Sequence, residues 1–274
     1  MSAIRSILLH LDATSCSAKR VAIAQGVAAK HGSRVTALFG VRSDAGTPTY
    51  AYSAGAALRA AEEGDAMPHV LERSRLRSQC EHDDTSFQWC EIFGDTVTHG
   101  FLAEASYADL LIVGQQAAEG TGSAPPGFLE SVILESGVPA IVVPRSQRLE
   151  ILGRRMLLAW DGSAASARAV RAALPFLTRA DKVHVATWAA HAPTAPYSRI
   201  DISTWLDRHG IVAEIHRHPP TRHFVDELAS MVTRLETDLV VMGCYGHSRM
   251  RERVFGGATR AWLGTLPVPV LMTH

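Results

Sequence analysis

The chemistry-bearing stretch of this chain is VVMGCYGHSRMRERVFGGATR, residues 240–260. Its glycines are spaced as Gly243, two residues, Gly246, nine residues, Gly256, and then Gly257-Ala258-Thr259. A loop without Cβ atoms lets backbone N–H groups close on an anion. If Gly256–Thr259 opens a helix, its unpaired N–H groups and positive dipole end make a phosphate cradle. Thr259 adds a hydroxyl, and His247, Arg249 and Arg251 supply positive charge from the intervening loop. Asp161 closes the apolar run MLLAWD and can accept hydrogen bonds from a base or ribose. Against this stands a plainer reading. Gly243 and Gly246 only form a turn, and Gly256-Gly257 start a tightly packed helix. Spacing alone does not choose between the two. No Gly-Lys-Ser/Thr follows, so this is not a Walker loop. The glycines come after a late strand, so it is not the dinucleotide fingerprint either.

Other constellations are weaker. His216, His218 and His223 flank a Pro-Pro turn in IHRHPPTRHF, and His216 and His218 share a strand face. Imidazoles bind zinc, but no fourth ligand is evident; a solvated strand end is expected, and no metal site. Cys244, inside the glycine motif, is expected to be a small packing residue rather than a reactive thiolate. Met242, Trp188 and Trp205 are expected in the core. No Ser-His-Asp order or nucleophile elbow stands out, so no catalytic residue is assigned. Slow hydrolysis of a bound nucleotide is left open, with His247 and Asp161 the only candidates to orient water.

The elements that must position these residues come twice. IRSILLHLDATSCSAKRVAIAQGVAAKHGSRVTALFGV begins the chain, and GRRMLLAWDGSAASARAVRAALPFLTRADKVHVATWA repeats its pattern from residue 153. ADLLIVG is answered by TDLVVMG, and GVPAIVVP by PVPVLMTH. The offset is 149 residues at Asp12/Asp161 and 129 at Gly114/Gly243, so about twenty extra residues fall in the first half, within Asp44–Pro68. Two halves are expected, 1–146 and 153–274. In the second, strands are expected at about 155–160, 183–188, 211–217, 239–243 and 269–273. Helices are expected at about 163–179, 199–209, 224–236 and 257–265, with Ser163 capping the first and Pro175 kinking it. Near-continuous apolar strands separated by helices predict open parallel sheets covered on both faces. Ligands of such sheets bind beyond the carboxyl ends of the strands, where Asp161 and Gly243 lie.

Composition agrees with a globular chain. It has 274 residues, with 27 basic and 27 acidic side chains, and Lys only at 19, 30 and 182. Zero net charge gives no reason to expect nucleic acid or an anionic membrane as partner. No apolar run of about 18 residues suggests a membrane span. The N-terminal apolar run is too short for a secretory leader. Four cysteines without C-x-x-C spacing point to free thiols and a cytoplasmic setting.

The G-x-x-G-(nine residues)-G run with small or hydroxyl residues after it, the strand-end Asp161 and the terminal VPVLM resemble the universal stress protein family. The resemblance covers both halves, as a tandem form. It implies two five-stranded α/β domains of the adenine-nucleotide α-hydrolase-like type, packed as an intrachain pseudo-dimer. It implies a stress-response protein that holds ATP or a related adenine nucleotide, with Mg as an accompanying ion, and acts as a sensor or regulator. Asp161 then contacts the adenosine part and a backbone position at Ala189 meets the adenine. Gly243, Gly246, His247, Gly256, Gly257, Ala258 and Thr259 line the phosphates. Where the family often has Ser or Thr after the third glycine, this chain has Gly257, which removes one hydroxyl. The alternatives are a scaffold acting through unidentified protein partners, or a slow ATPase.

The first half is an internal control. Its positions matching the glycine motif are Gly114, Ala117, Gly127, Phe128, Leu129 and Glu130. Phe128 is bulky where Gly257 stands, and Glu130 places a carboxylate where a phosphate would sit. Like charges about 4 Å apart cost roughly 4 kcal/mol at an effective dielectric of about 20. The first half is therefore expected to bind no triphosphate. Its loop from Gln115 to Gly127 is expected to be mobile. Each half ends in a short apolar strand, Ala140–Val143 and Val270–Thr273. If the strand order follows the family, each is the edge of its own sheet, and unpaired edges recruit a strand. In single-domain stress proteins the matching strands usually pair between two chains, so the resemblance implies that these two pair antiparallel within the chain. A homodimer is left open.

Overall fold

The computed structural model describes residues 4–41, 67–82, 86–93, 97–116, 124–145, 152–188, 200–244 and 257–274. The first half runs β1 (Ser6–Leu11), α1 (Ser17–His31), β2 (Arg34–Val41), α2 (Met67–His82), β3 (Phe87–Phe93), α3 (Val97–Ala105), β4 (Leu110–Gly114), α4 (Phe128–Glu135) and β5 (Ala140–Val143). The second runs β6 (Arg155–Ala159), α5 (Ala164–Ala172), α6 (Leu174–Leu177), β7 (Lys182–Thr187), α7 (Ile202–Asp207) and β8 (Ala213–Arg217). It continues with α8 (Phe224–Arg234), β9 (Leu239–Gly243), α9 (Gly257–Gly264) and β10 (Val270–Thr273). The sequence repeat is therefore a repeat of elements. The roughly twenty extra residues expected within Asp44–Pro68 fall almost wholly outside the described residues. Among those described, no helix is long and apolar enough to cross a membrane.

The chain divides into two compact units, Ile4–Val138 and a second built from Pro139–His274. The first contains a parallel sheet in the order β3-β2-β1-β4. The second has the order β5-β10-β9-β6-β7-β8. It is parallel throughout except where β5 meets β10. There Val142 lies opposite Val270 and Ala140 opposite Met272, antiparallel. The expected pairing of the two terminal strands is thus present, and β5, the last strand of the first half, sits in the sheet of the second unit. Both strands are buried at every position and apolar but for Thr273, so exchanging N–H and C=O groups there satisfies backbone groups that water cannot reach.

The central strands are apolar without alternation because both faces are covered. Ile7, Leu8, Leu9 and Leu11 of β1 are buried, as are Leu239 to Met242 of β9. The start of each sheet is tied by one carboxylate. Asp109 Oδ2 accepts from Arg5 N at 2.8 Å and Ser6 N at 3.0 Å. Asp238 accepts from Gly153 N at 2.7 Å, Arg154 N at 2.9 Å and Arg155 N at 3.0 Å. These are the aspartates of the repeated A/T-D-L segments, so the repeat carries the strand clamp with it.

At the other end of β6, Ser163 caps α5 as expected, its Oγ accepting from Ser166 N at 3.1 Å. Pro175 does more than kink the helix. The helix breaks at Ala173 and restarts as α6, with proline in the first turn where its missing N–H costs nothing. The break turns Phe176 into the core and leaves Leu174 half-buried.

Candidate functional site

In the second unit, the carboxyl ends of β6, β7 and β9 carry the residues of interest. Asp161 follows β6, is exposed, and its Oδ1 accepts from Ser163 N at 2.9 Å. Gly162 between them has φ of 74°, a left-handed turn that glycine adopts without penalty. The turn delivers the chain from the strand into the capped N-terminus of α5.

Gly243, the last residue of β9, lies against that same helix start. A Cβ there would stand 2.4 Å from both Ala165 C and Ser166 N, and 2.8 Å from Ala165 Cβ. The glycine therefore allows the strand end to touch helix backbone, and the space a side chain would need is already filled. Cys244 N donates to Thr273 O at 3.0 Å, and Thr273 Oγ1 donates to Ala165 O at 3.5 Å. Arg168 Nε donates to His274 O at 2.9 Å. The ends of β9 and β10 and the first turns of α5 thus form one knot. The Cys244 thiol is buried, donates to Thr273 O, and burial pushes its pKa up to about 12. It is a packing residue, as expected.

Thr259, on α9, is buried. Gly257 begins that helix, so the Gly256–Thr259 region does open a helix. Ala189, Gly246, His247 and Gly256 lie outside the described residues, as do Arg249 and Arg251; for Ala258 only the helical backbone is described.

The end of β7 supplies a group that the sequence left in the core. Trp188 is half-exposed rather than buried, and Trp205 is too, whereas Met242 is buried as expected. The Trp188 ring stacks on His218 at 5.3 Å and meets Phe224 edge-on at 4.8 Å. Its Nε1 donates to Glu227 Oε2 at 2.6 Å. Beside it, Thr187 Oγ1 is buried with no hydrogen-bond partner. These are the groups next to position 189. Their signal in the sequence was a tryptophan at the strand end, facing the aromatic-rich IHRHPPTRHF segment.

The first unit resolves the same positions differently. Asp12 is buried in an ion pair with Arg20, Oδ1 to Nη2 at 2.6 Å. It also accepts from Ser17 Oγ at 2.8 Å, from Thr14 N at 3.1 Å, and from the Thr14 hydroxyl. Burial pulls the carboxyl pKa up, but Arg20, His10 and the two hydroxyls pull it down further, so it stays ionised well below the usual carboxylate range. Gly114 exists to admit that guanidinium: a Cβ would stand 2.1 Å from Arg20 Nη1. Phe128, at the start of α4, is buried against His10 at a ring distance of 4.4 Å and against Phe101 at 5.3 Å. Gln116 with its amide reoriented donates to Glu130 Oε2 at 3.0 Å and accepts from Gly127 N at 3.2 Å. Ala117 and the middle of the loop from Gln115 to Gly127 lie outside the described residues. Arg20 was not singled out from the sequence. A lone Arg among the buried Ser17, Val21 and Ala24 of α1 was its available signal.

Residues 153–274 match the model of the universal stress protein family. This chain carries a universal stress protein domain. The fold extends the likeness to the rest of the chain. A universal stress protein from Archaeoglobus fulgidus DSM 4304 superposes with a TM-score of 0.71 at 15% identity, covering 98% of this chain and 97% of that one. A functionally unknown protein from Pseudomonas aeruginosa PAO1 gives 0.62 at 18% identity, over 98% and 92%. A putative universal stress protein from P. aeruginosa UCBPP-PA14 gives 0.61 at 18%, over 98% and 93%. No curated protein matches the sequence. At these identities the solved structures speak for the fold alone, a two-unit mixed α/β architecture.

Proposed function

We propose that the universal stress protein domain at 153–274 binds an adenine nucleotide beyond the carboxyl ends of β6, β7 and β9, and that the first unit does not. The observation that carries this reading is the contrast between the two strand-end aspartates. Asp161 is exposed beside the capped start of a helix. Asp12 is buried under Arg20 and three hydrogen-bond donors. An exposed carboxylate at a strand end can accept from ribose hydroxyls; a buried one already saturated cannot. The start of α9 at Gly257 supplies N–H groups and a dipole end for phosphate. The half-exposed Trp188 ring and the unpartnered Thr187 hydroxyl offer stacking and a hydrogen bond for the base. In this reading Gly246, His247, Gly256 and Ala258 complete the phosphate side, with Thr259 and Gly243 behind it. ATP with its Mg ion, ADP and AMP are the candidate ligands in this reading, and the protein acts as a regulator whose state follows nucleotide occupancy.

The test is calorimetry of the full chain, stripped of ligand by unfolding and refolding, with ATP, ADP and AMP. One site per chain is expected. Asp161→Ala should weaken it roughly 10- to 100-fold, as loss of a charge-assisted hydrogen bond implies, while Asp12→Asn leaves affinity unchanged. Absence of binding at millimolar nucleotide removes the proposal, and equal loss in both variants removes the assignment to the second unit.

A further inference from the structure

Three metal-capable side chains meet on one face of the sheet in the second unit. Strands β7 and β8 pair in parallel with His184 opposite Glu214 and Ala186 opposite His216. Side chains alternate along a strand, so positions 184, 214 and 216 fall on the same face. His184 Nδ1 lies 3.1 Å from His216 Nε2. Glu214 Oε2 lies 3.5 Å from His184 Nδ1, and its other oxygen, Oε1, lies 3.7 Å from His216 Nε2. The three donor atoms all fall within 4.8 Å of one another.

We propose that His184, Glu214 and His216 bind a divalent transition-metal ion of the Zn2+ class, which ties the edge strand β8 to β7. The spacing is what a metal needs. Zinc–nitrogen and zinc–oxygen bonds of about 2.0–2.1 Å put tetrahedral donors about 3.4 Å apart. The two imidazole nitrogens stand at 3.1 Å, and the exposed Glu214 carboxylate, with one oxygen near each nitrogen, can turn to bring a single oxygen towards both. Two imidazoles and a carboxylate form a donor set that zinc accepts with a fourth position left for water. The location also gives the ion work to do. Among the described strands, β8 pairs only with β7, and none of its positions is fully buried, whereas Leu239 to Met242 of β9 all are. A bond shared between the two strands holds in place the one with least packing.

The site differs from the histidine group read in the sequence. His218 turns to Trp188 and His223 is exposed, 3.8 Å from Asp226. Only His216 of that group is shared, and His184, 32 residues earlier, completes the pair. The competing account is a simple hydrogen bond between two neutral imidazoles with Glu214 nearby by chance.

The experiment uses the full chain, stripped with a chelator and free of nucleotide, titrated with Zn2+ alone against a competing chromophoric chelator. One zinc per chain with micromolar or tighter affinity is expected. Glu214→Gln should weaken it at least about tenfold and His216→Gln about 100-fold, a direct ligand being worth no less than the second shell that supports one. Both residues are accessible enough that the variants should keep the wild-type circular dichroism. The unfolding midpoint should rise with zinc in the wild type and not in His216→Gln. X-ray absorption of the wild-type complex must show two imidazoles and no sulfur, which excludes the free cysteines and needs no variant to fold. Undiminished zinc binding in His216→Gln, a sulfur ligand, or no binding with zinc in excess over the chain overturns the proposal. Since nucleotide is absent throughout, none of these results bears on the nucleotide site.

Discussion

Gly243→Ala is the sharpest perturbation of this architecture. The added methyl would lie 2.4 Å from Ala165 C and Ser166 N. Ordinary carbon contacts lie at about 3.5–4.0 Å, so β9 and α5 must separate by roughly 1 Å. The obstructing atoms belong to backbone, which cannot swing aside as a side-chain tip would. Overpacking of this kind costs about 1–3 kcal/mol. Ser166 N is also the group that Ser163 Oγ caps at 3.1 Å, and a weakened cap adds about 1 kcal/mol. The expected loss is therefore about 2–4 kcal/mol. Urea unfolding followed by tryptophan fluorescence reads it as a lower midpoint at unchanged slope. Gly264→Ala is the control. No atom stands within 4 Å of its Cβ position, and alanine is preferred to glycine in a helix by up to about 1 kcal/mol. If Gly243→Ala unfolds at the same urea concentration as Gly264→Ala, the close approach of β9 to α5 is not what the glycine serves. Because Asp161 enters α5 through the same turn, Gly243→Ala should also weaken nucleotide binding wherever Asp161→Ala does.

Two further outcomes follow from buried titratable groups. Burial, aided by Arg20 and opposed by Asp12, lowers the His10 pKa from 6.5 to about 3. Between those values the unfolded chain binds a proton that the folded chain refuses. Stability from this group is complete above about pH 6.5 and falls as pH drops towards about 3. His10→Leu should flatten urea midpoints measured between about pH 7.5 and pH 4.5, and parallel curves for variant and wild type would show that His10 is not held neutral. The Asp12 contribution, with its depressed pKa, disappears only at lower pH, as the carboxyl is finally protonated. Cys244 and Cys80 are both buried, and burial raises their pKa to about 12 and about 11. Peptide mapping after brief thiol labelling near pH 8 should find both unmodified in the native chain and modified in urea; native labelling at Cys244 would refute the packing role.

The sequence by itself determined what depends on local pattern. Apolar runs, their alternation with helices, the cap at Ser163 and the two short apolar strands Ala140–Val143 and Val270–Thr273 are written in neighbouring residues, and the duplication in the repeat of those patterns; that the two strands meet was an implication of the family resemblance. The reason is that strand burial and helix capping are properties of segments a few residues long. What the sequence could not supply was which distant side chain occupies which space. Asp12 and Asp161 stand in matching strand-end contexts, yet only the packing of α1 brings Arg20 onto Asp12, over a glycine whose missing Cβ makes the room. Trp188 read as core because indoles bury well, but it stands just past the end of β7, where it is half-exposed although it stacks on His218. His216 read as a solvated strand residue because its partner His184 is a strand away, and parallel register, not spacing along the chain, sets them 3.1 Å apart. Pairing across a sheet depends on contacts between residues tens of positions apart, and a single sequence carries no record of that register.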